Sequence, residues 1–118
     1  MIASTKAPAK ITVPEGGTRS FTFDLEIQPI LDRACIACHN GENGGMDGTS
    51  YLALHPFVNR QGPEADMPVL VPYEYHASTS ELVRLLKNGH HNVKLTDKEW
   101  RTLYNWIDFN APDKGYFK

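Results

Sequence analysis

The first regular signal along the chain is a period of two. Lys10-Ile11-Thr12-Val13 and Ser20-Phe21-Thr22-Phe23 alternate large apolar with polar side chains around Pro14-Glu15-Gly16-Gly17. That pattern predicts a short N-terminal β-hairpin or linker. From Asp24 the period lengthens, and Leu25, Ile27, Ile30, Leu31 and Ala34 fall near one helical face. Pro29 lacks the N–H that a helix interior uses, so this helix is expected to begin close to it, around Glu26 to Gln28. Residues 40–48 hold four glycines in nine positions and read as a loop. A short helix is expected from Ser50 through Leu54, closed by Pro56, with residues 59–76 irregular and punctuated by proline.

The last third is the most regular. Ser78-x-x-Glu81 reads as a capping box opening a helix whose Leu82, Leu85 and Leu86 form an apolar stripe, with Gly89 at its C-terminus. Thr96-x-x-Glu99 is a second box. It opens a helix with Trp100, Leu103, Tyr104 and Ile107 at i, i+3, i+4 and i+7, which predicts a core-facing stripe ending near Asn110-Ala111-Pro112. The whole pattern predicts a mostly α domain over residues 24–118, preceded by a hairpin or linker over 1–23.

Composition changes this picture little. The 118 residues are 41% apolar and 22% charged, as in an ordinary soluble domain. No stretch approaches the roughly 18 apolar residues of a membrane span. The net charge is −2, and the lysines and arginines are scattered without a basic stripe, so no nucleic-acid partner is expected.

Cys35-Ile36-Ala37-Cys38-His39 changes it a great deal, for it contains the only two cysteines of the chain. Cys-x-x-Cys-His is the signature of c-type haem attachment. Two thiols three positions apart can each add across one porphyrin vinyl group, while the adjacent imidazole of His39 ligates the iron. A zinc site would need further ligands and leaves the adjacent histidine unexplained. A thioredoxin-like redox pair expects its first cysteine at a helix N-terminus, whereas here a helical pattern runs into the motif from upstream. A plain disulfide needs no histidine at all. One covalent haem c is therefore the expected cofactor.

The second axial position decides between electron transfer and ligand chemistry. Met46, Met67, His55, His76, His90 and His91 are the candidates. In small haem c domains the distal ligand usually lies on the loop before the C-terminal helix, here Gly89 to Leu95, which carries no methionine but does carry His90-His91. Met67-Pro68 looks like a distal Met-Pro, yet it precedes the penultimate helix instead of following it. His90 is preferred and His91 is its alternative. Bis-histidine ligation leaves no open site, which makes electron transfer the natural task. His76 reads as a polar residue ahead of a helix cap, with a propionate or second-metal contact as the rival. Arg60 reads equally as a propionate partner or a solvated loop arginine.

Covalent haem attachment normally takes place outside the cytoplasm, yet the first ten residues lack the apolar core of a leader. Their Ala/Pro/Lys composition reads as a linker. The expectation is a periplasmic or otherwise extracytoplasmic module of a larger exported protein, serving a redox partner protein or an adjacent domain.

The segment from Ile27 to Gly41, with Leu95-Thr-Asp-Lys-Glu-Trp100 and Trp106-Ile-Asp108 downstream, resembles bacterial class I cytochrome c domains. Gly89-His-His-Asn-Val-Lys-Leu95, Tyr75-His-Ala-Ser-Thr-Ser-Glu-Leu82 and Arg60-Gln-Gly-Pro-Glu64 are similar, more narrowly, to the haem-binding middle domain of the hydrazine synthase alpha subunit and its relatives. The resemblance spans roughly residues 24–112. It implies a class I-like fold, His/His ligation and an electron relay, with catalysis at a different haem elsewhere in such enzymes. A chain with one haem motif is thus not expected to be an enzyme by itself, and fold likeness does not transfer function. The rival functions are a five-coordinate haem for gas sensing or peroxide reduction, and a structural docking module stapled by haem.

Overall fold

The computed structural model describes residues 2–13, 16–17, 19–40, 50–61 and 69–114. Local capping chemistry sets most of its helices. Thr22 accepts the Leu25 N–H on its hydroxyl (3.2 Å) and opens α1, Phe23–Glu26. After Ile27 comes α2, Gln28–Ala34, with Pro29 in its first turn, where a missing N–H costs nothing. Ser50 caps α3, Tyr51–Leu54, which tightens into a 3-10 turn at His55–Phe57. α4 spans Glu81–Asn88 and α5 spans Asp97–Asp108. Both halves of the Thr96 box form, with Thr96 Oγ1 accepting from Glu99 N (3.2 Å) and Glu99 Oε1 accepting from Thr96 N (2.9 Å). Gly89 ends α4 at φ 97°, a conformation strained for any residue with a Cβ.

The protein is mostly helical, with no strand among the described residues, and no described helix is long and apolar enough to cross a membrane. One core joins α1 and α2 to α3, α4 and α5. Trp106 is its fully buried centre, with ring centroids 5.4 Å from Phe23 and 6.3 Å from Tyr51. Its indole Nε1–H donates to the Pro112 carbonyl (2.9 Å). Phe23 N–H donates to the Asp113 carbonyl (3.0 Å), so the first helix is fastened to the segment beyond the last.

Several expectations need correction. The hairpin does not form among the described residues. Ile11 and Val13 stand exposed with no sheet to cover them, and a two-stranded ribbon without a packed face is marginal in water. Pro14, Glu15 and Thr18 lie outside the described residues, and Ile2–Thr5 form a 3-10 turn. Phe23, on the linker side of the expected boundary, belongs to the core at 1% exposure, and Phe21 packs edge-on against Phe109. All but Asn40 of the glycine loop expected at 40–48, and residues 62–68 of the proline-rich stretch, lie outside the described residues.

The Ser78 capping box does not form. Ala77–Thr79 make a 3-10 turn and Ser80 takes the N-cap position instead. Ser80 is fully buried, donates to the His76 carbonyl (2.8 Å) and accepts from Asn59 N–H (2.9 Å). Ser80→Ala leaves that N–H and that carbonyl without this partner. The variant is expected to lose about 1–3 kcal/mol of stability, read from the midpoint of urea unfolding.

Arg60 is not a solvated loop arginine but half-buried against backbone. Its Nη1 donates to the Asn110 (2.7 Å) and Ala111 (3.3 Å) carbonyls, and its guanidinium lies 6.0 Å from the Tyr51 ring centre. Tyr51 Oη also donates to Ala111 O (2.9 Å). Asn110 and Ala111 have φ of 72° and 50°, so a cation and a hydroxyl pin the left-handed turn that ends α5.

Candidate functional site

α2 delivers the cysteine motif. Cys35 is the C-cap of that helix, and its carbonyl accepts from both Cys38 N–H (3.1 Å) and His39 N–H (2.9 Å). This tight turn places Cys35 half-buried, Cys38 exposed and His39 half-buried on the wall of one cavity. Both thiols are free. Nδ1 of His39 is buried with no hydrogen-bond partner among the described residues.

The opposite wall comes from α4 and the loop after it. His90 O accepts from Val93 N–H (3.0 Å), and the two residues between them, His91 and Asn92, have φ of 48° and 59°. Two left-handed central residues define a type I′ turn. The turn offers the His90 ring to His39: the centroids lie 6.1 Å apart and the planes differ by 21°. An imidazole nitrogen binds a first-row metal at about 2 Å, so two rings sharing one ion hold their centres roughly 6 Å apart. His91 is exposed and meets His90 edge to face at 4.6 Å. It lines the cavity without being paired with His39 in the same way.

Between these walls lies a partly open, largely apolar cavity of about 180 Å³. Ile27, Ile30 and Leu31 form one side, and Leu82, Leu85 and Leu86 the other. The expected α4 stripe forms as a face that lines the cavity, with Leu82 and Leu86 also packed against the core. Val83 is the residue of α4 buried in protein, at 2% exposure, while Leu85 is 42% exposed. A row of leucines facing a cavity offers a flat apolar wall. Likewise, the buried line of α5 is Leu103, Trp106 and Ile107, with Trp100 and Tyr104 half-buried at its edge beneath the Lys87 ammonium (5.9 and 5.3 Å to the ring centres).

The electrostatics bear on the rival chemistries. Burial pushes the Cys35 thiol up from its ordinary value, with the Arg33 charge opposing in part. A redox-active pair needs a depressed thiol pKa and a helix N-terminus, and Cys35 has neither. Among the described residues no three His, Cys, Asp or Glu side chains converge on one point. His55 stacks on Tyr51 (5.3 Å), and neither it nor His76 is among the described residues lining the cavity. His76, at φ 82° and ψ −160°, donates its N–H to Asn59 O (2.7 Å), and its carbonyl takes the Ser80 hydroxyl. Its Nδ1 is buried without a partner among the described residues. Met46 and Met67 lie outside the described residues.

One part of the site had no sequence signal. Arg33 forks onto Glu99, Nε to Oε2 at 2.8 Å and Nη2 to Oε1 at 2.6 Å, and Nη2 also reaches the Lys94 carbonyl (3.0 Å). The Arg33 fork, helped by the Thr96 N–H, holds the Glu99 carboxyl below the usual carboxylate range. A bond across 66 residues leaves no trace in local periodicity. No protein-family model matches the chain, and neither a curated protein nor a solved structure is significantly similar to it.

Proposed function

We propose that the chain is a monohaem c-type cytochrome domain of class I-like fold, a module of a larger exported protein, that passes electrons between an adjacent domain or redox protein and another partner. The observation that carries this reading is the pair of near-parallel imidazoles, His39 and His90, 6.1 Å apart across an apolar cavity rimmed by both cysteines. The donor set suits the group: two thiols at attachment spacing, two imidazole nitrogens, and leucine and isoleucine walls for a flat apolar ring. Haem held in this way supplies a reversible one-electron couple.

The chain's own residues do the rest. Cys35 and Cys38 would anchor the porphyrin through thioethers, and His39 and His90 would occupy the two axial positions. The leucines of α4 exclude water, which keeps the local dielectric low and limits reorganisation when charge changes. The exposed Cys38 and the half-exposed Leu85 bring one margin of the cavity to the surface, where a partner can approach.

Protein from a host with thioether-forming maturation machinery is expected to have the polypeptide mass plus one haem, and a low-spin spectrum in both oxidation states. The bare polypeptide mass would overturn the proposal. A ferrous spectrum that shifts rapidly on adding carbon monoxide would replace electron transfer with the gas-sensing or peroxide-reducing alternative.

A further inference from the structure

We infer that Arg33 and Glu99 are positioning residues that set the gap between His39 and His90, and so keep the distal histidine on the iron. The inference rests on the haem reading above and concerns groups that reading does not use. Arg33 lies in the last turn of α2, two residues before Cys35, and so moves with the wall that carries His39. Its fork grips Glu99 at 2.8 and 2.6 Å and the Lys94 carbonyl at 3.0 Å. Lys94 belongs to the loop that carries His90, and Glu99 Oε1 also takes the Thr96 N–H (2.9 Å) where that loop enters α5. A single ion pair thereby ties the proximal helix to the distal loop, through the guanidinium, and to the start of α5, through the carboxylate.

The chemistry suits a brace better than a stabiliser. Isolated surface ion pairs contribute little, and the Arg33 side chain is 51% exposed. This pair is bidentate, however, and the Glu99 side chain is only 15% exposed and already oriented by its capping bonds. Such a fork fixes distance and angle more than it adds stability. The segment it fixes needs fixing, because His91 and Asn92 both occupy left-handed backbone, and among the described residues the turn they form is closed by one backbone hydrogen bond, Val93 N–H to His90 O.

The test uses holoprotein. Carbon monoxide can bind ferrous iron only after the distal imidazole leaves, so its binding rate reports how firmly His90 is held. Arg33→Met keeps an unbranched apolar stem and removes the fork, and the rate is expected to rise about fivefold while the resting spectrum stays low-spin. Arg33→Lys, with charge but no fork, should recover part of that difference. Glu99→Gln keeps an acceptor for Thr96 while weakening the Arg33 contact, and it provides a second readout if Arg33→Met folds poorly. The double variant should react no faster than Arg33→Met, since both changes break one link. Rates equal to wild type in Arg33→Met and Glu99→Gln, whatever their melting temperatures, would overturn the brace and leave the cytochrome reading intact. Wild-type protein without covalent haem would overturn both, and its mass alone reveals that case.

Discussion

His90→Ala is expected to turn the iron from low-spin to high-spin and open it to carbon monoxide, whereas His91→Ala is expected to leave both properties unchanged. The asymmetry follows from the turn that holds the pair. Its first residue, His90, faces His39 at 6.1 Å, and its second, His91, is exposed. An iron whose sixth site is open only ~1% of the time binds an external ligand about a hundredfold more weakly than an open one. Removing the true distal group should therefore raise the apparent carbon monoxide affinity by about that factor or more. Absorption spectra of the ferric and ferrous variants, followed by gas titration, decide the matter. High-spin iron in His91→Ala alone would transfer the assignment to His91. Low-spin iron in both would send the search to Met67 or His76.

Trp106→Ala is expected to be the most damaging single change to the fold. The indole is fully buried against Phe23 and Tyr51, so its removal empties the centre of the core between α1, α3 and α5. Emptying such a site costs about 3–5 kcal/mol. The variant also loses the bond from Nε1 to the Pro112 carbonyl (2.9 Å). Against a total stability of about 5–15 kcal/mol for a small domain, that leaves little margin at 37 °C. Trp106→Phe keeps most of the volume, forfeits the Pro112 bond, and should fall between. Thermal unfolding of the three proteins, followed by far-ultraviolet circular dichroism, should rank them wild type, Phe, Ala. An alanine variant as stable as wild type would show that the core lies elsewhere.

What could be read from the sequence was what depends on near neighbours. The Thr96 box is visible because both of its hydrogen bonds close within three residues. Pro29 and Gly89 mark a helix start and a helix end for the same reason. The cysteine motif is legible as a spacing, and the structure sets Cys35, Cys38 and His39 on the wall of one cavity. Distant partners overruled local rules elsewhere. Ser80 displaced Ser78 as the cap because Asn59, 21 residues earlier, needed its hydroxyl. The period-two pattern at residues 10–13 found no sheet to lie against and remained exposed. The aromatic stripe of α5 was drawn through Trp100, but Trp106 has the central place because Phe23 and Tyr51 converge on it. The apolar stripe of α4 was legible as a face, although periodicity cannot say whether protein or a cavity lies opposite it.

The bond from Phe23 N–H to the Asp113 carbonyl brings the two borders of the helical unit side by side. Two strands of polypeptide running outward from these borders would therefore start from one point, the geometry that lets a unit be inserted into a surface turn of another protein without forcing that protein's own segments apart.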